Sequence, residues 1–80
     1  MIMNELFQLG ILGGGESGVA AALLGKKKKI NVFLSEKGKL TQLHRIELIK
    51  AGIYFEEGGH TLDKLINSDA IIKSPGISSN

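Results

Sequence analysis

Six residues hold the clearest chemical potential in this chain: Gly13-Gly14-Gly15-Glu16-Ser17-Gly18. Glycines let a backbone turn sharply and approach a ligand with no Cβ in the way. Gly13, Gly15 and Gly18 satisfy the spacing G-x-G-x-x-G. A helix starting behind such a turn aims unpaired N–H groups and a partial positive charge at one point, which suits a diphosphate. Ser17 can add a hydroxyl donor or cap the helix. Glu16 would repel a phosphate, so its side chain must point away and leave its main chain to bind.

Glu36 lies 18 residues beyond Gly18. An acid there accepts hydrogen bonds from a ribose diol or a base N–H, or stands as an exposed loop acid. Lys37 and Lys39 either offset ligand charge or are simply solvated. Ser74-Pro75-Gly76-Ile77 makes a rigid turn, because proline fixes one dihedral and glycine permits an unusual next one. A main-chain N–H from Gly76 or Ile77 could meet the same phosphate; a plain type II turn is the alternative. His44 reads as an exposed helix residue. His60 follows Gly58-Gly59 and fits a structural hydrogen bond in a loop better than catalysis. Two histidines without cysteine do not make a metal site, and no Walker loop or Ser-His-Asp set is readable.

These residues need elements to place them. The pattern predicts strands at 8–12, 31–35, 53–56 and 70–73, and helices at 17–28, 41–51 and 61–67. Leu40, Leu43, Ile46 and Ile49 line one side of the second helix, and Gly52 ends it in a left-handed conformation. Thr61 can cap the third helix, which offers Leu62, Leu65 and Ile66 to the core. Strict strand–helix alternation predicts a small α/β fold, with one parallel sheet flanked by helices in three αβα layers. All strand C-terminal ends then share one edge. The segments 13–18, 36–39, 57–60 and 74–77 meet there as a site.

Eighty residues make one small domain, which buries only about 60% of its unfolded surface. The absence of cysteine excludes disulfides and thiolate metal sites, and fits a reducing cytoplasm. No apolar run approaches the ~20 residues of a membrane helix, and Met1 to Phe7 lacks the start of a signal peptide. A net charge of +2 gives no reason to expect nucleic acid. Lys26 to Lys29 read as a solvated helix end opposing the macrodipole. From the residues alone three functions stay open. One is a nucleotide site whose glycine loop holds a diphosphate, one a NAD(P)-binding Rossmann half of an oxidoreductase or regulatory domain, and one a noncatalytic interaction module.

Four segments resemble the N-terminal, UDP-binding, Rossmann-like domain of the Mur ligases. They are Ile11 to Gly18, Val32 to Gly38, Phe55 to His60, and Ser68 to Ile77. The likeness is greatest to the members that add D-glutamate to UDP-N-acetylmuramoyl-L-alanine in bacterial peptidoglycan synthesis. It implies that the glycine loop and the Ser-Pro-Gly turn hold the diphosphate, and that the acid after the second strand contacts uracil. The implied UDP-binding residues are Gly13, Gly15, Glu16, Ser17, Gly18, Glu36, Lys37, Ser74 and Gly76, with Glu36 where members commonly have aspartate. The implied whole is a three-domain cytoplasmic ligase using ATP and magnesium. Residues 1–80 are expected to form its first domain, without the ATP-binding and C-terminal domains, and to be inactive alone.

Overall fold

Apolar residues at alternate positions build the centre of the fold. The computed structural model describes residues 7–73. β1 (Gln8–Leu12) and β2 (Asn31–Glu36) are followed by β3 (Tyr54–Glu57) and β4 (Ala70–Lys73). All pair in parallel in the order β3-β2-β1-β4. Between them run α1 (Glu16–Lys27), α2 (Gln42–Ala51) and α3 (Leu62–Ile66). The α/β, Rossmann-like, three-layer architecture expected from the alternation is what forms. Side chains two apart share a sheet face. Leu9, Ile11, Val32 and Leu34 therefore pack together under Val19 and Ala22 of α1 and Leu48 of α2. The opposite face carries Phe33, over which Lys64 of α3 lies 5.1 Å from the ring centroid.

Boundaries shift by a residue or two from the expected ones, each for a local reason. α1 starts at Glu16 because Gly15 is its N-cap, so Ser17 lies inside the first turn and does not cap it. α1 stops at Lys27, and Lys29 takes the left-handed conformation, φ 65°. β3 starts at Tyr54 because the Ile53 N–H is spent on the Leu48 carbonyl, 3.0 Å away, behind left-handed Gly52. Thr61 stands at the N-cap of α3 but makes no capping bond; its hydroxyl donates to Glu56 Oε1 at 2.5 Å. Thr41 caps α2 instead, accepting from the His44 N–H at 3.1 Å.

α2 corrects the expected core. Leu40 is buried, but Leu43, Ile46 and Ile49 are exposed. A spacing of three turns backwards by about 60° per step on a helix of 3.6 residues per turn, so those residues wrap away from one face. The face turned inward is instead His44, Leu48 and Ala51, spaced four and three apart. His44 is thus half-buried and not exposed, and its Nδ1 is buried without a partner among the described residues. On α3, Leu65 is buried while Ile66 is exposed. The side chain of Leu62 lies outside the described part.

Candidate functional site

The strand order decides where a ligand can sit. From β1 the chain steps through α1 to β2, then through α2 to β3. After α3 it returns to the far side of β1 as β4. The winding direction therefore reverses between β1 and β4. In open parallel sheets, ligands bind outside the strand C-termini at such a reversal. The glycine loop leaves β1 at that place. Leu12 at its base pairs with Lys73, the last described residue of β4. Ser74 and Gly76, and the turn that contains them, lie outside the described residues.

Each glycine of the loop answers to a different constraint. Gly13 has φ 107°, a left-handed conformation that L side chains avoid, and its N–H donates to the Ser35 carbonyl at 2.8 Å. A Cβ on Gly14 would lie 2.1 Å from Leu40 Cδ2. A Cβ on Gly18 would lie 1.9 Å from the Gly13 carbonyl oxygen, so the helix could not sit this close to the strand. Gly15 differs from all three. Its backbone is ordinary, φ −76°, and among the described residues no atom beyond its chain neighbours lies within 4 Å of the Cβ it lacks. Packing among the described residues gives no reason for glycine at this position. The open space lies at the N-cap of α1, where N–H groups of the first turn have no partner within the helix. Glu16 and Ser17 are exposed beside it.

Three carboxylates bind the neighbouring loops together. Glu36 accepts from the Gly14 N–H at 2.5 Å through Oε1 and from the Gly38 N–H at 2.8 Å through Oε2. It therefore joins the loop after β1 to the loop after β2. A carboxylate offers about four lone-pair sites, so capacity for a ligand donor remains. Glu57 takes two hydrogen bonds from Arg45, each at 2.9 Å, and one from the Leu40 N–H at 2.8 Å. The Arg45 bonds, then the Leu40 bond, hold its carboxyl down at about 2. Glu56 accepts from Ser35 Oγ at 2.7 Å and from the Thr61 N–H at 2.6 Å. Burial pushes the Glu56 carboxyl up, but the Thr61 and Ser35 bonds outweigh burial and leave it below its ordinary value. The Gly58 N–H donates to the Gly38 carbonyl at 2.9 Å, adding the third loop to the second.

A pH dependence follows from Glu57. A carboxylate with a lowered folded-state pKa stabilises the fold above its unfolded pKa and loses that contribution as pH falls through the folded value. Stability is expected to fall as pH drops from about 4.3, the ordinary glutamate value, toward about 2. Urea unfolding across that range should show the slope, and Glu57→Gln should flatten it. An unchanged slope in the variant would remove Glu57 as its source.

The expected site residues Gly13 and Gly15 lie on the loop after β1, Glu16, Ser17 and Gly18 in the first turn of α1, and Glu36 and Lys37 at the end of neighbouring β2, all on one edge. Lys37 and Lys39 are exposed on the second loop. The loop-stapling roles of Glu56, Glu57 and Arg45 were not anticipated. The adjacent acids Glu56-Glu57 at a strand end were the available signal. Among the described residues, no three His, Asp or Glu side chains cluster to hold a metal. No described helix is long and apolar enough to cross a membrane. A concavity of 510 Å³ opens at the other edge, beside Gln8, Asn31 and Tyr54 where strands begin. It includes none of the glycine-loop residues.

A family profile described as the MurD N-terminal domain matches residues 8–80. The chain is 49% identical over 67 residues to the UDP-N-acetylmuramoylalanine–D-glutamate ligase of Cytophaga hutchinsonii, covering 84% of this chain and 15% of that protein. It is 45% identical over 71 residues to the ligase of the same name from Porphyromonas gingivalis, covering 89% and 16%. The counterpart in Chlorobium phaeobacteroides is 39% identical over 70 residues, covering 88% and 15%. The chain spans about 15% of the length of these relatives. No solved structure matches it significantly.

Proposed function

Because this chain belongs to the MurD N-terminal domain family, we propose that its loop edge binds the uridine diphosphate end of UDP-N-acetylmuramoyl-L-alanine. The whole protein is then a ligase that joins D-glutamate to that substrate in peptidoglycan synthesis. Residues 1–80 serve it as a single substrate-binding domain. ATP and magnesium act in the whole protein to activate the substrate carboxylate, and the residues described here take no part in that step. Cytoplasmic placement follows from the same reading, since UDP-linked precursors are made there.

Gly15 carries the proposal. It is a glycine that neither backbone conformation nor packing among the described residues requires, and among them it faces open space at a helix N-terminus. A diphosphate seated there would meet the first-turn N–H groups of Glu16, Ser17 and Gly18 and the positive end of the macrodipole. Glu16, at the first helical position, contributes its main chain. Glu36, held by Gly14 and Gly38, offers its remaining lone pairs to the uracil N3–H. Lys37 adds cationic charge on the same loop. The Glu36 staple means that the base-reading and phosphate-holding loops are positioned together before ligand arrives.

The competing ligand is NAD, since Gly13, Gly15, Gly18 and Glu36 also suit an adenosine ribose. Amide signals of the labelled chain are expected to move at 13–18 and 36–38 with UDP, and much less with NAD. Glu36→Gln should weaken UDP binding by about 1–3 kcal/mol, because an amide N–H replaces one acceptor. Tighter binding of NAD than of UDP, or a Glu36→Gln variant that binds UDP like the wild type, would overturn the uracil assignment.

A further inference from the structure

Ser35 is a polar residue with no exposed surface, at the C-terminal end of β2. Its hydroxyl oxygen meets Glu56 Oε2 at 2.7 Å, the Gly59 carbonyl at 3.2 Å, and His60 Nδ1. One hydroxyl has one proton to give. Glu56 is held in its ionised form by its bonds to Thr61 and Ser35, and a carboxylate accepts only. The ionised Glu56 oxygen 2.7 Å away cannot donate, and two oxygens that close with no proton between them would repel, so the Ser35 proton goes to Glu56 and not to the Gly59 carbonyl or His60 Nδ1. Ser35 Oγ is left as an acceptor toward His60, and His60 Nδ1 must be the nitrogen that bears hydrogen. In the neutral ring, Nε2 then has a free lone pair. Among the described residues Nε2 has no partner, and His60 is exposed.

The ring is thus fixed in place and in tautomer by a buried serine, at the edge where the ligand is placed. Its loop is attached to the base-reading loop through Gly58 and Gly38. A neutral histidine that donates through Nδ1 leaves Nε2 an acceptor, and here that acceptor belongs to an exposed residue at the same edge as Glu36. We infer that His60 is a nucleoside-reading residue, whose Nε2 accepts a hydrogen bond from an imide N–H or a sugar hydroxyl of the ligand, with Ser35 as the positioning residue behind it. This rests on the uridine diphosphate reading above and goes beyond it, because it extends the site to the third loop.

The test uses the 80-residue chain, labelled for imidazole and amide nitrogen signals, with UDP, ribose 5-phosphate and inorganic pyrophosphate as probes. UDP should shift the His60 Nε2 signal together with amides 13–18. His60→Phe should weaken UDP about three- to tenfold, as loss of one neutral hydrogen bond does, and leave pyrophosphate binding unchanged. Ser35→Ala should let the ring populate both tautomers, visible in the nitrogen shifts, and weaken UDP less than His60→Phe does. His60 is exposed, so His60→Phe keeps the test valid should the buried Ser35→Ala variant fail to fold. If ribose 5-phosphate also shifts Nε2, the sugar is the donor; if UDP alone shifts it, the base is. If UDP moves amides 13–18 while Nε2 stays still and His60→Phe binds like wild type, the inference falls and the diphosphate reading stands. If UDP moves no amide in 13–18, the reading falls and takes the inference with it.

Discussion

Gly18→Ala is expected to lower the thermal midpoint by roughly 10–25 °C, the equivalent of about 3 kcal/mol in a domain of this size. The added Cβ would stand 1.9 Å from the Gly13 carbonyl oxygen and 3.0 Å from its carbon. Neither partner can yield cheaply. Gly13 is held at φ 107° by its turn, and its N–H is bonded to Ser35. The helix must therefore back away from the strand, opening the contact of Val19 and Ala22 with Ile11 and Leu34. Alanine's better helix propensity returns only about 1 kcal/mol. The total stability of 80 residues is about 4–12 kcal/mol, so the loss is a large share of it. Ser17→Ala, at an exposed position in the same turn, should stay within about 0.5 kcal/mol of wild type. Circular dichroism melts of both variants measure the difference. A Gly18→Ala variant as stable as the Ser17→Ala control would refute the close approach of α1 to the β1 turn.

Gly15→Asp should separate folding from binding. The backbone at Gly15 is one that any residue adopts, and its missing side chain would meet none of the described residues. Aspartate is also a good N-cap residue, so stability should change by no more than a few tenths of a kcal/mol. Binding should respond differently. The new carboxylate would occupy the N–H groups proposed for the diphosphate and would set like charge beside it. Two unit charges about 4 Å apart in water repel by about 1 kcal/mol, and a diphosphate carries two or more. UDP affinity should fall by about 30- to 100-fold, and pyrophosphate affinity with it, measured by amide titration of the folded variant. A variant that melts like wild type and binds UDP as well would show that the diphosphate lies elsewhere. Gly18 and Gly15 belong to one motif, yet the first substitution is expected to cost the fold and the second only the ligand.

That difference marks the limit of the motif as written in the sequence. G-x-G-x-x-G states where glycines stand, and says nothing of which are needed by a turn, by a packed helix or by a ligand. The same limit applies to Glu36. Its place after the second strand was legible, but its bonds to Gly14 and Gly38 join residues that only the folded sheet makes neighbours. His60 was legible as a loop histidine with a structural hydrogen bond, and it does make one, to Ser35. Its partner lies 25 residues away on another strand, which no local pattern reveals.

The element order was set by the sequence alone, because it depends on local preferences: short runs of four to six residues carrying aliphatic or aromatic side chains, helical stretches between them, and glycines where the chain reverses. β1 and β4 fall where the pattern places them, and the alternation suffices for a parallel sheet. The tertiary structure decided what depends on distant contacts. It placed β4 beside β1, which creates the reversal at which the site is proposed. It turned α2 so that Leu48 faces the core and Leu43 and Ile49 face outward, since a helix with apolar residues on several sides is oriented by what it packs against. It also set Glu36 and Glu57 among N–H donors from other loops. Local propensity acts over a few residues and is written in the order of side chains. Strand order, helix rotation and loop attachment arise from burial and hydrogen bonding between segments far apart in the chain, and exist only once the sheet has formed.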